Sequence, residues 1–294
     1  VHMFARPHEL QRQGDGGALE ARQILGTVRL LVTGSTGFLG RRVLPLLQAD
    51  PSFAEVRAWD RRQDGDLLNP NDWGRVFDRV RPERVLHMAW LKTGTDDYEF
   101  AAENLEWSRQ AVAMAKSCID RGISVVLLGS AIDSEPSSST AASYLRAKKQ
   151  LRAFVESKSP SSLITLLRPT YIFDEKAGRP RVLQEFYESN QSESFQILRP
   201  EVKRDYIHVE DVASAIALIA PRPKSGPLDI ASGVSRSTAA LLTSSLGVEN
   251  SQHSIKELIL EESASDFDLS FLYSLGWSPR VTDKYFSSVN KEVV

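Results

Sequence analysis

Val28-Arg29-Leu30-Leu31-Val32-Thr33-Gly34-Ser35-Thr36-Gly37-Phe38-Leu39-Gly40 decides the reading of this chain. A short apolar run ends in a threonine–glycine turn. From Gly37 onward the apolar positions change spacing, and Phe38, Leu39, Val43, Leu44, Leu46 and Leu47 recur at helical intervals. The stretch therefore reads as strand, glycine turn and helix. By itself the turn needs no more explanation than glycine's tolerance of positive φ.

The same unit recurs outward from it. Short apolar runs stand at Glu55–Trp59, Arg84–Met88, Ser124–Leu128 and Leu163–Leu167, with helical patterns at roughly Asn71–Val80, Asp97–Arg121 and Ala141–Lys158. Apolar strands alternating with helices indicate an α/β fold, a parallel sheet covered on both faces. After Pro169 the pattern becomes mixed. A helix is expected near Arg181–Ser189, a strand near Phe195–Leu198 and a helix near Val209–Ala220, with joints at Pro221–Pro227 and Ser232–Thr238. Residues 1–26 are polar and glycine-rich and read as a flexible tail, with Val1-His2-Met3 a remnant ahead of a natural start. Residues 27–170 then form the main sheet domain, and 171–294 a smaller lobe with some segments returning to the sheet.

Composition bounds the function. The 294 residues include 41% hydrophobic and 25% charged, enough for a large core. Thirty-six basic against 38 acidic residues give a net charge of −2, with no electrostatic case for nucleic acid or an anionic membrane. One cysteine, Cys118, excludes an internal disulfide framework and a multi-cysteine zinc site, and a reducing cytoplasm is the default. No stretch approaches the ~20 apolar residues of a membrane span. Five scattered histidines lack metal-ligand spacing, so no metal is expected. His208 reads as structural, and Cys118 as a buried small hydrophobe.

Two local patterns carry chemistry. Gly34, Thr36, Gly37, Phe38 and Leu39 lie where a dinucleotide pyrophosphate meets a helix N-terminus, whose N–H groups and dipole favour anions. Asp60 follows the next apolar run, as a carboxylate on the adenosine ribose would. Arg61 and Arg62 next to it suit a 2′-phosphate, so NAD and NADP both remain open. Asp66-Leu67 stands in a polar turn able to close over the adenine. The second pattern is Tyr144-Leu145-Arg146-Ala147-Lys148. Residues four apart share a helix face, and a lysine cation stabilises a phenolate and makes tyrosine a usable acid or base. Ser130, ending the preceding strand, is positioned to hydrogen-bond a substrate oxygen. Trp90 either shapes a substrate pocket or packs in the core.

With these segments in this order, residues 28–280 resemble the extended short-chain dehydrogenase/reductase family, whose members often act on nucleotide sugars. Its other marks here are Val85-Leu86-His87-Met88-Ala89, Asn104, Gly129-Ser130, Leu167-Arg168-Pro169, Arg204 to Asp211 and Leu275 to Pro279. The resemblance implies a Rossmann-type doubly wound parallel sheet with a smaller C-terminal substrate-binding lobe. It implies that Ser130, Tyr144 and Lys148 are catalytic, that Asn104 supports Lys148 through water, and that Asn104, Tyr144 and Lys148 also contact the cofactor, Lys148 orienting its ribose. His87, Met88, Ala89 and Trp90 would line the NAD or NADP groove, with Pro169 near the nicotinamide. Trp90, Ser130, Tyr171 and Arg204 would meet the substrate, Arg204 through a diphosphate. Tyr171 stands where the family usually has a substrate-contacting asparagine, and Phe173-Asp174 where it has tyrosine-glycine. Ala131 and Ile132 replace the acids that sugar 4,6-dehydratases carry after the catalytic hydroxyl. The reading that follows is an NAD(P)-dependent ketoreductase of a nucleotide-linked keto-deoxy sugar, in a cytoplasmic homodimer. A nucleotide-sugar 4-epimerase is the alternative within the family, and a non-catalytic cofactor sensor or scaffold the alternative of another class.

Overall fold

The computed structural model describes residues 28–91, 99–134, 142–158, 163–177, 183, 201–246 and 262–290. The expected tail, the helix near Arg181–Ser189 apart from Leu183, and the strand near Phe195–Leu198 lie outside these residues.

Six parallel strands form the main sheet: β1 (Val28–Thr33), β2 (Phe53–Ala58), β3 (Arg84–His87), β4 (Ser124–Leu128), β5 (Ile164–Pro169) and β8 (Gly226–Ile230). Their order is β2-β1-β3-β4-β5-β8. The chain leaves β1 for a neighbour on one side and returns to pair on its other side, so the strand order reverses between β1 and β3. In open α/β sheets that crevice, at the carboxyl ends of the strands, is where ligands bind.

Alternation along each strand builds one core on each face of the sheet. Leu30, Val32, Leu86, Val126 and Leu167 point to one face, where they meet α1 (Gly40–Ala49) and α6 (Val209–Ile219). Leu31, Val85, Val125, Leu127, Ile164 and Leu166 point to the other. There they meet α3 (Pro70–Val80), α4 (Glu103–Asp120) and α5 (Ser143–Lys158). With both faces covered, the strands read as unbroken apolar runs rather than as alternating ones.

A second sheet, ordered β10-β9-β7-β6, consists of β6 (Tyr171–Phe173), β7 (Lys203–His208), β9 (Val234–Ser237) and β10 (Ser263–Ala264). It packs on α7 (Thr238–Leu246) and α9 (Arg280–Asn290), around Phe173, Leu183, Tyr206, Leu241, Leu242 and Phe286. The expected joint at Ser232–Thr238 is thus mostly strand. Its polar residues pair antiparallel with β7, Arg204 opposite Arg236, a long-range partnership that leaves no local apolar signature. The helix expected from Asp97 begins at Glu103. Helix α6 and strand β8, both from the second half of the chain, pack on or join the main sheet.

Candidate active site

The glycine turn takes its shape from close backbone approach. Gly34 has φ +73°, and a Cβ there would stand 2.5 Å from the Ala89 nitrogen. Only glycine lets the exit of β1 lie against the exit of β3. Gly37 N–H donates to the Gly34 carbonyl (3.1 Å) and closes the turn. Helix α1 then starts with no side-chain cap and no acid in its first turn. Arg41 and Arg42 occupy that turn, against the preference of the helix dipole. Arg42 is engaged by the Phe38 carbonyl, Glu210 and Asp174, so it is the uncapped helix start together with the glycine turn that fits a dinucleotide pyrophosphate. Thr36 and Gly37 are exposed there, Phe38 is half-buried and Leu39 is buried.

The opposite wall is the exit of β3, where Met88 and Ala89 are buried. Thr33 Oγ1 bonds His87 Nδ1 (2.7 Å) and accepts the Ala89 N–H (3.4 Å). His87 Nε2 is buried with no hydrogen-bond partner among the described residues. Burial, with Lys148's charge adding to it, pushes this imidazole down to about 3, so at neutral pH it is uncharged.

At the exit of β2, Asp60 caps the short helix α2 (Arg61–Asp64), accepting the Arg62 N–H (2.9 Å). Arg61 pairs with Asp66 (2.8 Å) across exposed surface. Asp66 also accepts the Leu68 N–H, and Leu67 packs against the core cluster that includes Trp73. Carboxylate and guanidinium groups therefore all stand at this strand end. Asp64, which the sequence reading did not single out, is fully buried and holds the segment by pairing with Arg57 (2.7 Å) and Arg79.

Tyr144, Lys148, Trp90 and Asn104 come together at the exits of β3 and β4. Lys148 is 3% exposed and donates to the Leu128 carbonyl (3.2 Å), two residues before Ser130. Its Nζ lies 3.4 Å from the Trp90 ring centroid and 5.3 Å from that of Tyr144. Burial pushes the amine down to about 7, against an upward pull from Asp133. Asn104, fully buried, accepts the Trp90 indole N–H (3.0 Å) and donates to the Ala101 carbonyl and to Ser143. Its side chain thus anchors the indole and the start of α5.

Ser130 leads into a 3-10 turn, Ala131–Ser134, that contains a buried carboxylate. Asp133 accepts from Arg168 (2.8 Å) and Arg152 (3.1 Å), and Arg168 also reaches Asp229 (2.5 Å) on β8. This network links the ends of β4, β5 and β8, next to the buried Pro169. Sequence reasoning missed it because Asp133 and Arg168 are 35 residues apart, with no local pattern to announce the pair.

Tyr171 and Arg204 lie on the second sheet and engage each other. The guanidinium carbon stacks 4.2 Å from the Tyr171 ring centroid and Nη1 donates to the phenol oxygen. Asp205 beside them is a second missed organiser. It accepts from Thr170, the Ser232 and Gly233 N–H groups and Ser265, which ties the exits of β5 and β8 to β7. His208 caps α6 through the Glu210 N–H and bonds Glu175. Its ring nitrogen and the carboxylates of Asp174 and Glu175 lie within 4.8 Å of one another. Arg42 already pairs with Asp174, and His208 with Glu175, so the cluster reads as ion pairing. Cys118 is buried and its thiol is pushed up to about 12, which makes it inert. Among the described residues no helix is long and apolar enough to cross a membrane.

Comparison with known proteins bears on the fold and the family. A search of curated proteins finds no match. Among solved structures, the fold is similar to Bordetella bronchiseptica WbmG in complex with NAD, at 16% identity and TM-score 0.62, covering 86% of this chain and 89% of that one. It is similar to the UDP-N-acetylglucosamine 4-epimerase of Methanobrevibacter ruminantium M1 in complex with UDP-N-acetylmuramic acid, at 18% and 0.61, covering 90% and 97%. It is also similar to a dTDP-4-dehydrorhamnose reductase of Clostridium acetobutylicum, at 16% and 0.58, covering 79% and 82%. At these identities the likeness establishes the Rossmann-type fold. The family model described as the NAD dependent epimerase/dehydratase family matches residues 30–231, well over half of the chain. The chain belongs to that family, within the extended short-chain dehydrogenases/reductases, and is an enzyme of their NAD(P)-dependent type.

Proposed function

We propose that the protein reduces the keto carbon of a nucleotide-linked keto-deoxy sugar. The observation that carries this reading is the engagement of Asp133. Dehydration needs an additional acid or base near the catalytic hydroxyl, and the carboxylate of the turn after Ser130 is committed to Arg168 and Arg152. Among the described residues, Ser130, Tyr144 and Lys148 offer the equipment for proton transfer to an oxygen.

When bound, the reduced nicotinamide supplies the hydride for the carbonyl carbon. Gly34, Gly37 and the start of α1 would hold its pyrophosphate, with Asp60, Arg61 and Arg62 at the adenosine end. Ser130 Oγ would hold the substrate carbonyl oxygen, and Tyr144 Oη would give it a proton as it becomes an alkoxide. Lys148, as an ammonium beside the phenol, favours the phenolate that this transfer leaves. Tyr171 and Arg204 offer a phenol and a guanidinium for the nucleotide diphosphate. The nucleotide-sugar ligand and enzyme names of the similar structures support that substrate class.

The test is to supply purified protein with NADH or NADPH and a panel of nucleotide-linked keto-deoxy sugars. Stoichiometric loss of the reduced cofactor is expected. Tyr144→Phe should lower kcat by about 10²–10⁴-fold, the usual weight of a general acid, with cofactor affinity nearly unchanged. Interconversion of two sugars with no net cofactor consumption would replace the reductase by a 4-epimerase. Full activity in Tyr144→Phe would overturn the assignment of the proton donor.

A further inference from the structure

Trp90 touches both members of the proton-transfer pair. The Lys148 Nζ stands 3.4 Å from its ring centroid, so the indole face takes one side of the ammonium while the Leu128 carbonyl takes another. The Tyr144 ring meets the same indole edge-on, at 6.4 Å between centroids and an interplanar angle of 90°. The indole is in turn fixed from behind. Its N–H donates to Asn104 Oδ1 (3.0 Å), and the Asn104 amide is pinned by the Ala101 carbonyl (3.1 Å) and Ser143 Oγ (3.3 Å). Ser143 itself donates to the Glu99 and Ala101 carbonyls.

We propose that Trp90 is a positioning residue for catalysis: its indole face, held by Asn104, seats the Lys148 ammonium beside the Tyr144 phenol. The proposal rests on the Ser130–Tyr144–Lys148 reading above. It gives Asn104 a direct route to the lysine through an indole rather than through water. It also explains a tryptophan at the exit of β3, where a smaller side chain would leave the ammonium without a counterpart on that side.

The other groups facing Lys148 do not take over this task. Asp133, in the turn after β4, contributes an attractive charge, but Arg168 and Arg152 share that carboxylate. His87, from β3, is uncharged at neutral pH and Lys148's own charge helps keep it so. On the lysine's own helix, Arg152 is committed to Asp133 and Glu156. A ring face favours the charged amine over the neutral one, so Trp90 works against the burial that drives Lys148 to lose its proton.

Two measurements test this. In the cofactor-free protein, the midpoint of the Lys148 titration is read by NMR from ¹³Cε-labelled lysine, with the signal assigned by its absence in Lys148→Met. Trp90→Leu, which keeps apolar volume but removes the ring, should lower that midpoint by about 0.5 to 1.5 units, the size of a buried cation–π contact. Trp90→Phe, which keeps a ring, should recover most of it. In turnover assays, the alkaline limb of kcat should move down with Trp90→Leu by the same amount and return with Trp90→Phe. An unmoved Lys148 midpoint in correctly folded Trp90→Leu would overturn the proposal, as would a rise in sugar KM with an unchanged pH profile, the mark of a pocket wall. Full activity of Tyr144→Phe would defeat the underlying catalytic reading, and the NMR titration would still report on the Trp90–Lys148 contact.

Discussion

Replacing Lys148 by methionine should make the protein more stable and inactive. A lysine 3% exposed among Trp90, Tyr144 and the β4 exit gives up nearly all of its hydration. Burial lowers its amine from 10.5 to about 7. At ~1.36 kcal/mol per unit, that difference of roughly 3.5 units corresponds to about 5 kcal/mol of penalty for the folded state, an upper bound. Contact of the ammonium with the indole face offsets about 0.5–2 kcal/mol of it. A net gain of about 2–4 kcal/mol is therefore expected for Lys148→Met below pH 7, since methionine fills similar volume without a charge.

The pH dependence gives the prediction its edge. Below pH 7 the amine is protonated in both folded and unfolded chains, and the penalty is present in full. Between pH 7 and 10.5 the unfolded chain binds the proton and the folded one does not, so wild-type stability rises with pH relative to the variant. Above 10.5 the amine is neutral in both states and the difference disappears. Urea denaturation of both proteins at a series of pH values from 6 upward follows this group, because titrations not coupled to Lys148 cancel in the difference and His87, lowered to about 3, stays uncharged in that range. A variant less stable than wild type at pH 6 would refute the reasoning. It would mean that the indole and the Leu128 carbonyl more than compensate for lost hydration.

Two further substitutions test the frame around the site. Gly34→Ala places a methyl 2.5 Å from the Ala89 nitrogen at φ +73°. It should cost at least about 1–3 kcal/mol and abolish NAD(P) binding by calorimetry; a stable variant with normal affinity would show that the turn is an ordinary connection. Asp133→Asn leaves the buried Arg168 guanidinium short of a charge partner. It should cost about 3–5 kcal/mol in urea denaturation, and a loss under about 1 kcal/mol would mean that Asp229 alone balances Arg168.

The parts legible in the sequence are those encoded within a few residues. β1, its glycine turn and α1 announce themselves because the apolar spacing changes from a run to a helical period within one short stretch. Tyr144 and Lys148 are legible because one helix turn brings them to the same face. The second sheet was harder, since β9 is a polar strand defined by pairing with β7 and by nothing in its own composition. The charged groups that hold the strand ends are illegible for the same reason. Asp64, Asp133 and Asp205 look like any surface acid until long-range contacts bury them. Trp90 was visible, but its role was not, because the choice between core, pocket wall and lysine seat depends on where Lys148 ends.

These buried carboxylates share one physical role. Asp133 draws Arg168 and Arg152 toward the exit of β4, and through Arg168 it is linked to Asp229 on β8. Asp205 draws four donors from the exits of β5 and β8 and from Ser265. Asp211 does the same for the start of α9, accepting from Val281 and from both the N–H and hydroxyl of Thr282. Asp205 and Asp211 accept backbone N–H groups that lie outside any strand ladder and would otherwise be buried unpaired, whereas Asp133 gathers guanidinium groups. An apolar residue at Asp205 or Asp211 would leave those N–H groups unpaired, and one at Asp133 would leave the Arg168 guanidinium short of its acceptor. The carboxyl edge of the sheet is thus held by buried charges whose partners lie far away in sequence, and Tyr144 and Lys148 sit on a frame that local sequence does not encode.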